Sequence, residues 1–306
     1  MPALFFMKTH STILITGATG YIGKALRQQL RESGYSIRIL STSAASDPSK
    51  GIYRWNINQG EMDINALIGT NYIIHLAGAS IGAVRWSKQR KKEIHQSRVN
   101  STRLLFRKTI ENNIPLKGFI SASAVGYYGT NKAGTVFNEQ SPAGDDFLAK
   151  VCEAWENESK AFADVGIRTV VVRTGVVLCP DSPALQKMLF PVKLGVGGPI
   201  GRGNQYVPWI SLTDLCNIYR QAVENEQFSG MYNAVSPHKV TNSELMKTLA
   251  EIYHKPFFMP AVPDFLLRLV LGEMAMIVTE GNPVEPQRLL LTGFQFKYPE
   301  IRDIFR

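Results

Sequence analysis

The spacing Gly17-Ala18-Thr19-Gly20-Tyr21-Ile22-Gly23, set directly after an apolar run, constrains this 306-residue chain more than any other feature. Thr12-Ile13-Leu14-Ile15 reads as a short strand, and the turn from Thr16 to Gly23 follows without a gap. A helix from Lys24 to Glu32 comes next, with Tyr21, Ile22, Ala25, Leu26 and Leu30 at helical spacing and Ser33-Gly34 as its stop. Ile37 to Leu40 reads as a second strand. In this context Gly17 turns the chain sharply off the strand, Gly20 lets backbone N–H groups approach a pyrophosphate, and Gly23 seats the helix against the sheet. The phosphates then lie at the positive end of the helix dipole, so the stretch implies dinucleotide binding. A tight turn using small residues only for packing is the competing explanation.

Acid placement decides which dinucleotide. The second strand ends in Ser41-Thr42-Ser43, where an Asp or Glu would ordinarily hold the adenosine ribose of NAD. Hydroxyls suit a 2′-phosphate, with charge available from Arg38, Lys50 or Arg98, and NADP is therefore expected. Asp47, six residues beyond Ser41, is too far along the loop to serve NAD.

Further along, strands and helices alternate. Tyr72 to Gly78 is a third apolar strand ending in small residues, with His75 expected to be a hydrogen-bonded core residue rather than a catalyst. Lys88 to Asn112 is one long helix stopped before Pro115, Lys117 to Ser121 a fourth strand, Ala149 to Val165 a helix, and Arg168 to Val172 a fifth strand. This alternation predicts an α/β fold: a Rossmann-like doubly wound parallel sheet with a small C-terminal substrate-side subdomain. The expected division is residues 11–180, with 205–235 contributing, for the nucleotide domain, and 181–204 with 236–306 for the smaller unit. Glycine density at 195–203 predicts a mobile loop over the site. Thr213-Asp214 is expected to cap a helix, and Thr241 to Glu244 to form a capping box.

Charge and cysteine content narrow the class. Net charge is +9, with a basic run at Arg85, Lys88, Arg90, Lys91 and Lys92. It lies at a helix start with Trp86 as its one interleaved aromatic, so a solvated face that attracts anionic ligands is expected rather than nucleic-acid binding. No apolar run approaches the roughly 20 residues of a membrane span, and Ala3 to Met7 is too short for a signal-peptide core. Cys152, Cys179 and Cys216 are scattered, which predicts reduced thiols, no metal site and a cytoplasmic protein.

The chain resembles the extended short-chain dehydrogenase/reductase superfamily, and within it an atypical epimerase-like branch associated with nucleoside-diphosphate-sugar epimerases and cell-division-inhibitor homologues. Thr16 to Gly23, His75 to Gly78, Trp86 to Arg98, Ser123 to Gly129, Val172 to Leu178, Gly197 to Gly201, Pro208 to Asp214 and a C-terminal block from Leu271 to Pro299 carry that resemblance. It implies NADP held by Thr16, Gly17, Thr19, Gly20, Tyr21, Ile22 and Gly23 of the turn, with Ser41, Thr42, Leu76, Ala77, Gly78, Glu93, Arg98, Ser121 and Val177. The same resemblance implies a serine or threonine that polarises the substrate oxygen, and a tyrosine whose acid/base role a lysine four residues later supports. Ser123 answers to the first. The segment expected to hold the pair reads Phe147-Leu148-Ala149-Lys150-Val151, so Lys150 comes one place early, turned roughly 100° around a helix. Tyr127 or Tyr128 is left as the substitute acid/base.

The expectation is an NADP-binding oxidoreductase or epimerase acting on a small hydroxylated substrate such as a nucleotide-activated sugar. Ser123, Tyr127 and Lys150 are its catalytic candidates, and the alternative is a non-catalytic NADP-binding sensor. A small-molecule substrate, no nucleic acid, no membrane, and a monomer or homodimer complete the reading.

Overall fold

The computed structural model describes residues 11–43, 45–130 and 135–306; the apolar Ala3 to Met7 stretch lies outside the described residues. β1 (Thr12–Thr16) leads through the glycine turn into α1 (Tyr21–Glu32) and β2 (Ser36–Ser41), with α1 starting at Tyr21 rather than Lys24. β3 (Ile52–Asn56) and β4 (Glu61–Met62) follow, two strands that the sequence reading does not anticipate. Next come β5 (Tyr72–His75), α2 (Lys88–Glu111), β6 (Gly118–Ala124), α3 (Phe147–Asp164) and β7 (Thr169–Thr174). β8 (Val176–Leu178), α4 (Pro183–Lys193), β9 (Trp209–Ser211), α5 (Leu212–Glu224) and β10 (Gly230–Ala234) complete the sheet region. The chain ends through α6 (Asn242–Ile252), α7 (Asp264–Leu271), α8 (Met276–Thr279) and α9 (Gln287–Leu291).

Eight strands form one sheet in the order β10-β7-β6-β5-β1-β2-β3-β4, with every neighbouring pair parallel except β3 and β4. The fold is the Rossmann-like doubly wound sheet expected from the alternation. Helices cover both faces, so each strand needs apolar side chains on both sides and reads as a continuous hydrophobic run. Ile13 and Ile15 join Ile37, Ile39, Ile74, Leu26, Leu30 and Ile218 on one face, while Leu14 joins Leu40, Ile73, Phe119, Leu104 and Phe162 on the other. Strand order reverses between β1 and β5, and a crevice opens beyond their carboxyl ends.

Two expectations are corrected in the second half. The glycine-rich 195–203 segment packs instead of standing open: Gly197, Gly198, Gly201 and Gly203 are buried, Gly201 N–H donates to Val262 O, and Gly198 lies against Met259 and Pro260. Bare backbone allows two loops to approach closely there, which glycine density permits as readily as mobility. The cap of α5 is Ser211, whose hydroxyl accepts from Asp214 N–H, so Thr213 and Asp214 lie inside the first turn. The box from Thr241 to Glu244 forms with both reciprocal bonds. Leu289 and Phe294 of the C-terminal segment pack into the main core with Tyr232 and Ile218.

Asp214 ties that segment to α5. Fully buried, its carboxylate accepts from Ser211 Oγ and from the backbone N–H groups of Lys297 and Tyr298, at 2.7 and 3.0 Å for the last two. Asp214→Ala leaves these buried donors without an acceptor. A loss of about 2–4 kcal/mol in urea unfolding is expected, against no more than about 0.5 kcal/mol for a surface aspartate such as Asp164→Ala. Equal losses would mean that the tether carries no weight.

Candidate functional site

The crevice at the switch point has a volume of about 720 Å3, within the range of small-molecule sites. Gly17 and Thr19 form its floor, Ser41, Thr42 and Ser43 one wall, Ala77 and Gly78 another, and Gln89, Glu93 and Gln96 of α2 its far side. Gly17 has φ +69°, and a Cβ there would stand 2.9 Å from Ala77 N, so only glycine lets the first turn approach the β5 loop this closely. At Gly23 a Cβ would fall 2.3 Å from Gly17 O, which ties the seating of α1 to the same turn. Gly20 N–H closes the turn on Gly17 O at 3.0 Å, and the N–H groups of the first turn of α1 have no partner within the helix.

A column of buried polar groups fixes the opposite wall. His75 is fully buried between Thr16 Oγ1 at 2.6 Å and Ser101 Oγ at 3.0 Å, and is boxed by Trp55, Phe119 and Trp155. Ser101 donates to the carbonyls of Ser97 and Arg98, so it accepts from His75 Nε2–H. Thr16 accepts from Ala77 N–H and donates to Nδ1. This assigns the neutral Nε2–H tautomer, and burial, with Arg98 nearby, pulls the imidazole down to about 3. His75 is a core residue that positions Ala77.

Arg98 lies beneath Gly78, donating to Ala79 O at 3.1 Å and Ile94 O at 2.9 Å with its guanidinium over Trp155. It braces the 77–79 loop, and burial weakens its hold on its proton. Glu93 lines the crevice and pairs with Arg90 at 2.6 Å. Two other expected cations are engaged elsewhere: Arg38 donates to the carbonyls of Asn65, Ala66 and Ile68, and Lys50 pairs with Asp47. Arg54, which sequence reading passed over, lines the crevice itself.

Beyond β6 lies a charged cluster. Ser123, 4% exposed, donates to Glu156 Oε1 at 2.7 Å, and Arg173 holds both oxygens of Glu156 at 2.9 and 2.8 Å. Burial opposes the charge on Arg173, but Glu156 outweighs it and keeps the guanidinium firmly protonated. Tyr127 stacks on that guanidinium at 3.5 Å, and among the described residues its hydroxyl takes no hydrogen-bond partner. Tyr128 is buried, donates to Asn233 Oδ1 at 2.7 Å, and is pushed up to about 12 by burial, so it is structural.

The model of the "NAD dependent epimerase/dehydratase family" matches residues 13–234, and a "Domain of unknown function (DUF1731)" matches residues 262–306. The chain belongs to the NAD dependent epimerase/dehydratase family. Epimerase family protein SDR39U1 homolog, chloroplastic, of Arabidopsis thaliana is 38% identical over 98% of this chain and 87% of its own length. Epimerase family protein YfhF of Bacillus subtilis is 35% identical over 94% of this chain and 95% of its own. A crystal structure of the human epimerase family protein SDR39U1 with NADPH superposes with a TM-score of 0.85 at 32% identity, covering 96% of this chain and 97% of that one.

The remaining candidates of this epimerase-family chain fall in several places. Thr16, Tyr21, Ile22, Gly23 and Leu76 shape the turn and its packing, and Tyr21 donates to Asp181 Oδ1 at 2.6 Å. Ser121 is buried and turned onto Ala122 O, while Val177 packs against the main core from β8. Lys150 is exposed on α3 and makes no ion pair among the described residues, so it is not brought to Ser123. Phe147 packs edge-on against Trp86 at 5.1 Å with Lys91 5.0 Å above its ring, and Lys91 pairs with Glu273. The basic run is thus partly consumed by internal pairs.

Burial makes the folded state resist protonation of His75. The unfolded imidazole binds a proton near its ordinary 6.5 while the folded one does not until about 3. Its stabilising contribution is complete above about pH 6.5 and is lost as pH falls toward 3, by about 1.4 kcal/mol per pH unit. Urea unfolding of His75→Gln should show a shallower decline between about pH 6 and pH 4 than the wild type. Parallel declines would assign the acid sensitivity to other groups.

Proposed function

We propose that this chain binds NADP in the crevice and transfers hydride to and from a small hydroxylated substrate, with a nucleotide-activated sugar as the candidate class. One observation carries the cofactor reading. The crevice ends at β2 in Ser41, Thr42 and Ser43, with no carboxylate where the ribose hydroxyls of NAD would need one, and the Gly17 turn leaves a bare cradle at the α1 N-terminus. The SDR39U1 structure with NADPH supports the same choice. When bound, the cofactor supplies a hydride acceptor or donor at its nicotinamide.

Ser123 and Tyr127 perform the protein's share of that chemistry. With its proton held by Glu156, Ser123 presents lone pairs and orients a hydroxyl beside the reacting one by accepting its O–H, which leaves the reacting hydroxyl's proton to Tyr127. Tyr127 exchanges the substrate proton, with Arg173 placing positive charge beside the ring on which negative charge develops. Lys150 has no part in this arrangement. Glu156 and Arg173 fix the serine from behind, in a pair too buried to reorganise cheaply.

A second reading, a dinucleotide-binding protein without turnover, is favoured by Phe147. That ring occupies the position of the superfamily's tyrosine and is locked in an apolar cluster with Trp86, Ile94 and Val151.

Calorimetric titration with NADPH, NADP, NADH and NAD, followed by a sugar-nucleotide screen read both by NADPH absorbance and by chromatography of the sugar products, separates the readings. Micromolar NADPH binding with turnover is expected, with Ser123→Ala and Tyr127→Phe each lowering the rate about 10²- to 10⁴-fold at unchanged cofactor affinity. Binding without turnover selects the second reading, and no binding removes both.

A further inference from the structure

We propose that Arg54 is the phosphate-binding residue that selects a 2′-phosphorylated adenosine over a free ribose hydroxyl. The inference rests on the dinucleotide reading of the crevice and assigns a residue that the sequence pattern of the turn does not point to.

Arg54 is the central, outward residue of β3, between buried Tyr53 and Trp55. The β2–β3 register sets it directly beside Ser41, so the two side chains leave the same face of the sheet about 5 Å apart at the backbone. Arg54 lines the crevice together with Ser41, Thr42 and Ser43, at the end of β2 that receives the adenosine ribose in this fold. Arg54 N–H donates to Ser46 Oγ and Arg54 O accepts from Asp63 N–H, so the strand is pinned while the guanidinium, among the described residues, makes no ion pair or hydrogen bond. Nearby carboxylates are committed elsewhere: Asp47 to Lys50 and Ser49, Asp63 to Ser46 and to the N–H of Asn65.

The other basic residues near this end do not meet the need. Arg38 is turned by its Nη1 onto three backbone carbonyls of the 65–68 segment, Lys50 is paired, and Arg98 is fixed beneath Gly78. A phosphomonoester carries close to two negative charges and presents several acceptor oxygens, which a planar guanidinium can grip at two points while hydroxyls of the Ser41 to Ser43 wall donate to the rest. A free 2′-hydroxyl offers Arg54 almost nothing. The residue therefore discriminates by what it gains from the phosphate, without rejecting NAD by repulsion.

The test compares wild type, Arg54→Gln and Arg54→Lys in calorimetric titrations with NADPH, NADH, adenosine 2′,5′-bisphosphate and ADP, with urea unfolding to confirm that the variants fold. Arg54→Gln should weaken NADPH and the bisphosphate about 10- to 100-fold and leave NADH and ADP unchanged. Arg54→Lys should recover part of the loss as a point charge, and raised salt should narrow the gap between wild type and Arg54→Gln. Unchanged NADPH affinity in Arg54→Gln, or an equal loss for NADPH and NADH, would overturn the assignment while leaving the cofactor reading intact. If the wild type binds neither dinucleotide, the cofactor reading itself fails, and the assignment with it.

Discussion

The close approach of the first glycine turn to the end of β5 is the contact on which the site depends. Gly17 abuts Leu76 and Ala77 with no room for a side chain, and Gly23 meets the same turn from the start of α1. Because β1 and β5 are the strands between which the chain reverses direction across the sheet, this contact sets the width of the crevice floor. Thr16 then links it to His75, so a hydrogen-bonded column running from Ala77 N–H to α2 holds the second wall at a fixed distance. Polar groups buried this deeply are tolerable only because each finds a partner, and a satisfied column is stiff.

The charged cluster behind β6 follows the same logic at higher cost. Arg173 and Glu156 are almost completely buried, and desolvating both charges offsets much of their attraction. What the pair secures is direction: Glu156 fixes the proton of Ser123, and Arg173 supplies a flat surface for Tyr127. A hydroxyl free to rotate would serve as donor or acceptor, whereas this one has its proton held by Glu156.

The fold was legible from the chain where each residue had one dominant requirement. Buried strands covered on both faces must be apolar throughout, which is why β1, β2, β5, β6 and β7 stood out. β3 escaped notice because as a strand near the sheet edge it alternates, with Tyr53 and Trp55 inward and Arg54 outward, over a stretch too short to separate from a loop. The cost of missing β3 was missing Arg54, since a surface arginine is ordinary until a strand register puts it beside Ser41. The 195–203 glycines failed for another reason: glycine permits both mobility and close packing, and only the partner loop at 259–262 decides between them.

The two ends of the crevice therefore stand in different relations to the superfamily pattern. At the adenosine end, turn, hydroxyl wall and arginine agree, each supplied by a separate element whose position the sheet fixes. At the reacting end, the place of the tyrosine belongs to Phe147, which is held by Trp86 and by Lys91, and Lys91 is held in turn by Glu273 of the C-terminal segment. A tyrosine there would still lack the lysine one turn on, whose place is taken by buried Val151. On the catalytic reading proposed above, the proton donor comes from an element that already faces the cluster of Ser123, Glu156 and Arg173. Of the two tyrosines that follow β6, Tyr128 is spent on Asn233, whereas the hydroxyl of Tyr127 takes no hydrogen-bond partner among the described residues.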